Sequence, residues 1–336
     1  MSLRHLAALS FLSLMIASPA SHGWQRGEVQ KFATLPSGFA NPEGLTVDRQ
    51  GNVFVATFAV SAAAGTPGQL FEFDPEGNLV RQVGISGSSN LLLGLAFHPQ
   101  TGALLVLDFG RSQVLKVNPQ NGAATVFATV TGAAGLNALT FDRAGNVYVS
   151  DSFQGIIWKA GPQGGAAVAW VNDALLRTTG TPPFGANGVE FNNAQDAMFV
   201  ANTGDDTVIR IPFNGGTPGK PEVFVNSING ADGLFIDEHD NVWVAANQAD
   251  EIVVVDKTGR VIAKLGDFNG IDEDGAPKGL LFPASPAQFG DWVYVTNLSL
   301  DIRLFGLPQA VDSQWAAQVT SHTIARLPAR IPSGDE

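Results

Sequence analysis

The chain has 336 residues, a formal net charge of −12 and a pI near 4.8, a balance that argues against nucleic acid or an anionic membrane surface as a partner. Hydrophobic residues make up 45% and charged ones 15%, enough for a substantial core, while 38 glycines and 19 prolines suit many short strands joined by tight turns. There is no cysteine, so disulfides and thiolate metal sites are excluded in any compartment.

The first residues read as an export signal, residues 1–23. Arg4 and His5 precede an apolar run from Leu6 to Ile16, and Ser18-Pro19-Ala20 supplies small residues for cleavage after Ala20 or a few residues on, near Gly23. A membrane anchor needs about 20 apolar residues, and this run is shorter. No later stretch is long and apolar enough to span a bilayer, so the expected mature protein is soluble, monomeric and periplasmic or secreted.

From Val29 onward the chain is a succession of short strands without helical periodicity. A segment with a turn, an apolar strand, an Asp/Asn-x-x-Gly-Asn turn and a second apolar strand recurs at a spacing of about 45–50 residues. Clear copies are Glu43-Gly44-Leu45-Thr46-Val47-Asp48 with Gly51-Asn52-Val53-Phe54-Val55, Asn137-Ala138-Leu139-Thr140-Phe141-Asp142 with Gly145-Asn146-Val147-Tyr148-Val149, and Asp232-Gly233-Leu234-Phe235-Ile236-Asp237 with Asn241-Val242-Trp243-Val244. The inner strands start near Glu43, Leu93, Asn137, Asn187, Asp232 and Pro283. In the second copy, Gly94–Phe97 leads through a turn to Leu104–Leu107, then to Val114–Val117 and Thr125–Ala128. Four short antiparallel strands per unit describe a propeller blade. The predicted fold is all-β: a six-bladed propeller over residues 24–330, with blades near 41–86, 87–134, 135–184, 185–230, 231–278 and 279–330. A ring must close or expose sheet edges, and two segments compete to complete the last blade, 28–35 and 320–328. Residues 331–336 form a frayed tail.

One phase of the repeat carries oxygen-bearing side chains in four copies: Glu43, Asn137, Asn187 and Asp232. Inner strands line the channel of a propeller, so these four converge on its axis at one end. Two carboxylates and two amides supply hard oxygen donors with a charge of about −2, which matches Ca²⁺. Zinc or copper would favour His or Cys, and no histidine falls at this phase; Mg²⁺ suits a four-oxygen cage less well, and another divalent cation is the alternative to calcium. Taken singly, Asp, Asn and Glu before glycine are ordinary turn residues; their coincidence at one phase is what points to a metal.

In combination, these residues resemble the calcium-binding set of the gluconolactonase/regucalcin (senescence marker protein) superfamily, whose arrangement paraoxonases and diisopropyl fluorophosphatase share. The likeness runs over the whole mature chain. It implies one Ca²⁺ in the tunnel that polarises a lactone carbonyl or phosphoryl oxygen, held by Glu43, Asn137, Asn187 and Asp232. Asp232 then matches the carboxylate that serves as nucleophile or as base for water, Glu43 contributes mostly charge, and the asparagines contribute orientation. Two positions depart from the sugar-lactonase pattern: Gly135 stands where an arginine grips substrate hydroxyls, and Ala138 where Asp is usual, which argues against a sugar-acid lactone. The strand-turn sequences also resemble NHL repeats, whose propellers serve as ligand- or protein-binding scaffolds, and this is the alternative reading. A lyase of the streptogramin-opening kind would be expected to use a tunnel histidine, and none is apparent.

Other chemistry finds less support. The chain lacks a Gly-x-Ser-x-Gly elbow and a phosphate loop. His98 and His239 fall in turns at the end opposite the proposed metal and read as solvated; His322 has no visible partner. Asp108, Asp151, Asn202, Asn247 and Asn297 recur at the end of the second strand and read as caps of the following turn, with a supporting role at the metal as the rival reading. Asp267–Gly275 resembles an EF-hand, but Ile271 stands where a ligand is required, so it reads as a solvated loop. A small-residue loop, Phe58–Gly68, and a longer one, Asn172–Gly185, with Leu175, Leu176, Pro182, Pro183 and Phe184, are expected at the metal end. They form either an apolar lip for a hydrophobic small-molecule substrate or packing against the next blade.

Overall fold

The computed structural model describes residues 25–63, 65–132, 134–307 and 312–332; the leader expected at 1–23 lies outside them, as does the tail beyond residue 332. The architecture is all-β and propeller-like. Strand β1 (Gln30–Thr34) precedes a series of antiparallel four-stranded units. The first holds β2 (Pro42–Val47), β3 (Val53–Thr57), β4 (Gln69–Phe73) and β5 (Leu79–Gly84). The second holds β6 (Leu92–Phe97), β7 (Leu104–Asp108), β8 (Gln113–Val117) and β9 (Ala124–Thr129), and the third β10 (Leu136–Phe141), β11 (Val147–Asp151), β12 (Ile156–Gly161) and β13 (Gly164–Asn172). In the next, β14 (Ala186–Phe191), β15 (Ala197–Asn202) and β16 (Thr207–Asn214) lead to β17 (Thr217–Pro218) and β18 (Glu222–Val225), both paired with β16. Then come β19 (Ala231–Ile236), β20 (Val242–Ala246), β21 (Glu251–Val255) and β22 (Val261–Leu265), and a small hairpin of β23 (Phe268–Ile271) and β24 (Pro277–Gly279). The last unit is β25 (Pro283–Phe289), β26 (Trp292–Asn297) and β27 (Thr323–Pro328).

The two closing segments do not compete. They pair with each other, β1 antiparallel to β27 with Gln30 opposite Arg326 and Thr34 opposite Thr323, so the last sheet runs β1-β27-β26-β25. An N-terminal strand thereby covers an edge that the C-terminal strands would expose. Inner strands contact one another in the cyclic order β2, β6, β10, β14, β19, β25 and back to β2. The second strand of a unit is buried on both faces, as in Val53–Thr57, Leu104–Asp108 and Val242–Ala246, because a sheet packs on each side of it. That explains the continuous apolar runs, whereas the outer strand Leu79–Gly84 is largely exposed.

The Asp-x-x-Gly-Asn signature is a hairpin device at the end remote from the proposed metal. Asp48 Oδ1 accepts from the backbone N–H of Gln50 and Asn52, and Oδ2 accepts from Asn52 Nδ2, while Gly51 supplies a φ of +88°. Asp142 with Asn146 and Asp237 with Asn241 repeat the pattern.

Inside the ring, each inner strand carries a register irregularity just after its first residue: between Pro42 and Leu45, Leu92 and Leu95, Leu136 and Leu139, Ala186 and Val189, Ala231 and Leu234, and Pro283 and Pro286. A bulge re-aims side chains and bends the strand, and here it falls on the Glu43 phase in every unit. By this register the last unit's equivalent of Glu43 is Ala284, one residue beyond the Pro283 expected from the sequence. The glycine that follows serves ring closure rather than a turn. A Cβ on Gly44 would lie 2.1 Å from the Leu93 carbonyl oxygen, on Gly94 2.6 Å from that of Asn137, and on Gly188 2.5 Å from that of Asp232. Replacing Gly44 by Ala is expected to cost about 3 kcal/mol or more by overpacking. A thermal melt should show the loss, with Gly161→Ala, where a Cβ meets nothing within 4 Å, as the near-neutral control.

Several expectations need correction. His98 is buried, its Nε2 2.9 Å from the Gly145 carbonyl oxygen and its ring edge-on to Phe141; of the two, His239 alone is solvated. His322 does have a partner, its Nδ1 accepting from the Asn41 N–H at 3.3 Å. Residues 267–275 belong to the β23–β24 hairpin. Among the described residues a single α-helical turn, Ser313–Ala316, interrupts the β series. No helix among the described residues is long and apolar enough to cross a membrane.

Candidate functional site

Glu43, Asn137, Asn187 and Asp232 each occupy the second position of an inner strand, are buried, and line one small cavity at the end where those strands begin. Its volume of about 40 Å³ accommodates an ion with a water or a single substrate atom, not a whole ligand. The remaining lining includes Thr203, Asn247, Phe58, Phe184 and Phe282, and no histidine. The wider opening at the other end, about 530 Å³, is walled mainly by Leu45, Leu95, Leu139, Val189 and Leu234; its one carboxylate, Glu190, is tied to Thr140 Oγ1 and its own strand.

Hydrogen bonding fixes which way the two asparagines face. Ser152 Oγ donates to the Ala186 carbonyl at 2.7 Å, so its proton is committed and Asn137 must offer it Nδ2, at 3.3 Å. Thr203 Oγ1 donates to the Ala231 carbonyl at 2.8 Å and receives Asn187 Nδ2 at 2.9 Å. The amide nitrogens are thus held toward the blades, leaving each Oδ1 available to a cation. Asp232 Oδ2 accepts from Asn247 Nδ2 at 2.8 Å. Glu43 Oε2 and Asp232 Oδ1 are buried without any hydrogen-bond partner, and so is Asn247 Oδ1, which rests where a Gly230 side chain would otherwise sit.

Burial raises both carboxyl groups. Glu43 is pushed well above the usual carboxylate range by desolvation and by the charge of Asp232. Asp232 is pushed up to about 7 by desolvation, against the opposing hydrogen bond from Asn247 and the nearby Asn187 amide and Gly233 N–H dipoles, neither of which makes a hydrogen bond to it. Two buried carboxylates with orphaned oxygens are costly unless protonated or matched by a cation. The donor set, two carboxylates and two amide oxygens on a rigid ring, fits a hard divalent cation of the calcium type. Among the described residues no group of three or more His, Cys, Asp or Glu converges, which leaves no zinc-like cluster.

The recurring residues at the end of the second strand divide into two sets. Asp108, Asp151, Asn202 and Asn297 face away from the cavity and cap backbone. Asp151 Oδ1, for example, accepts from the N–H groups of Gly135, Phe153 and Gln154, and Asn297 Oδ1 from that of Leu281. Asn247 does not belong with them. Strand pairing sets Ala246, not Asn247, opposite the first residue of its inner strand, so Asn247 shares the phase of Ser152 and Thr203 and reaches Asp232. The Asn172–Gly185 loop also divides: Leu176 is fully buried in the core, with Leu175 packed against it, whereas Pro182 and Phe184 line the cavity.

Fold and site together define an all-β, propeller-like protein with a carboxylate- and amide-lined tunnel mouth. Residues 88–266 match the family model described as SMP-30/Gluconolactonase/LRE-like region, more than half of the chain. The chain belongs to the SMP-30/gluconolactonase/LRE-like family. Among solved structures it is similar to a luciferin-regenerating enzyme (16% identity, TM-score 0.63, covering 90% of this chain and 95% of that one). It is also similar to regucalcin, a calcium-binding protein from Agrobacterium tumefaciens (17%, 0.60, 88% and 94%), and to a gluconolactonase from Xanthomonas campestris (12%, 0.60, 91% and 90%). At these identities the likeness speaks to the fold. A comparison with curated proteins finds no match.

Proposed function

We propose that this protein is a six-bladed propeller that hydrolyses a lactone or related ester with a calcium ion held by Glu43, Asn137, Asn187 and Asp232. The observation that carries the reading is the pair of unpartnered, buried carboxylate oxygens, Glu43 Oε2 and Asp232 Oδ1, sharing one cavity with two amides whose nitrogens are tied outward. Calcium bound there would supply Lewis-acid polarisation of a carbonyl or phosphoryl oxygen. Family membership and the gluconolactonase among the similar structures support a hydrolase; the calcium-binding regucalcin supports the choice of ion.

The chain's own groups would divide the work. Asp232, whose proton a bound cation would displace, would then take a proton from attacking water or attack the carbonyl itself. Asn247 orients it through Oδ2, leaving Oδ1 as the reactive oxygen. Glu43 supplies charge, and Asn137 and Asn187 hold the amide oxygens in place. Export to the periplasm or outside the cell, proposed from residues 1–23, would place the protein where calcium is abundant, acting as a monomer on a small molecule.

A panel of lactones and aryl esters assayed before and after chelation, with circular dichroism to follow the fold, tests this reading. Hydrolysis should vanish with EDTA and return with calcium. Hydrolysis undiminished by chelator refutes the metal's role. Calcium binding without turnover of any ester leaves the scaffold reading, a propeller that binds a ligand or partner protein at the same face.

A further inference from the structure

The tunnel mouth is two-faced. At the position after the second strand, the third to fifth units present Ser152, Thr203 and Asn247, all engaged with the site. The first, second and last units present Phe58, Phe109 and Leu298 at the same phase. Beside them Leu93 and Ala284 stand where the other half-ring has Asn137, Asn187 and Asp232. One half of the rim is therefore polar and the other hydrocarbon, with Glu43 the one carboxylate on the apolar side.

Phenylalanines carry the apolar surface outward, Phe58, Phe109 and Phe305 from the apolar half and Phe153 and Phe184 from the adjoining third unit. Phe58 and Phe184 line the cavity itself. Phe58 meets Phe109 edge-on at 5.4 Å, Phe109 meets Phe153 at 5.4 Å, and Phe153 stacks on Phe184 at 5.8 Å. Phe305, from the excursion between β26 and β27, stacks on Phe58 at 6.5 Å. Phe153 and Phe305 remain 50% and 46% exposed, an unusual state for large aromatic side chains contiguous with a buried polar site. Beneath Phe153, a Cβ on Gly135 would lie 2.9 Å from the ring, so no polar side chain fits at that position without displacing it.

Resting on the ester-hydrolase reading above, we propose that the substrate is a lactone or ester bearing an apolar chain or aryl group, and not a polyhydroxylated sugar lactone. Only the carbonyl end enters the cavity of about 40 Å³; the hydrocarbon lies along Phe109, Phe153, Phe184 and Phe305 at the mouth. A polyol placed there would desolvate hydroxyls against phenyl rings with no partner to receive them.

The test uses the calcium-loaded full chain and γ-lactams, which resist hydrolysis: pyrrolidin-2-one and its 5-butyl and 5-octyl derivatives, titrated calorimetrically, beside turnover of the matching γ-lactones and of glucono-1,5-lactone. Affinity is expected to rise about two- to fourfold per methylene, and Phe153→Ser or Phe305→Ser, both at half-exposed positions, to flatten that slope. Rising lactam affinity without turnover of any lactone would retain the apolar site and sink the hydrolase reading. Affinity independent of chain length, a slope unchanged in both serine variants, or preferential turnover of glucono-1,5-lactone would overturn the proposal.

Discussion

Replacing Asp232 by Asn is expected to lower calcium-dependent ester turnover by about 10³-fold or more, the scale of losing a reactive carboxylate together with a ligand charge. Shape is conserved, so packing around Leu234 and Asn247 should persist. The same variant should be at least as thermostable as the parent in EDTA at pH 7.5. The reason is electrostatic: Asp232 and Glu43 are buried near each other, and neutralising one removes both a desolvation cost and a repulsion. A melt and a turnover assay on one preparation separate loss of chemistry from loss of fold. Undiminished turnover in Asp232→Asn would remove Asp232 from the mechanism.

The second large effect is a calcium-induced stabilisation that grows with pH. Asp232 has a folded-state pKa of about 7 against an ordinary value of 3.8, and Glu43 is raised in the same direction. Between those values the metal-free folded state holds protons that the unfolded chain has released. Its stability is therefore complete below about pH 4 as far as these groups are concerned, and falls as pH rises toward 7. Cation binding displaces the same protons, so affinity should weaken about tenfold per proton for each pH unit below 7. At pH 8 and calcium about a thousandfold above Kd, the gain is about 4 kcal/mol, or a Tm rise of about 8 °C at roughly 2 °C per kcal/mol for a chain of this size. The shift should shrink markedly at pH 5.5. A calcium shift equal at the two pH values would mean that the two raised carboxyl groups are not the ligands.

What could be read in advance differed by level. The strand sequence was legible because second strands such as Leu104–Asp108 are buried on both faces and must be apolar throughout, while Asp48, Asp142 and Asp237 mark hairpins by local hydrogen bonding. The candidate ligands were legible because a repeat converts equal phase into equal position. Asn247 was not separated from Asn202 and Asn297, since one residue of register decides between facing the tunnel and capping a turn. His98 was misjudged because a turn residue can be covered by the neighbouring unit, here through Gly145 and Phe141.

Composition, repeat spacing and local turn chemistry, all carried within a few neighbouring residues, were enough to determine an all-β ring of small sheets and the phase of its inward-pointing oxygens. Only the tertiary structure decided that β1 closes the ring on β27, that a bulge in every inner strand turns the Glu43 phase inward, and that Phe58, Phe109, Phe153, Phe184 and Phe305 from four units meet at one mouth. Those outcomes depend on contacts between residues tens to hundreds of positions apart, and no local pattern in the chain encodes such distances.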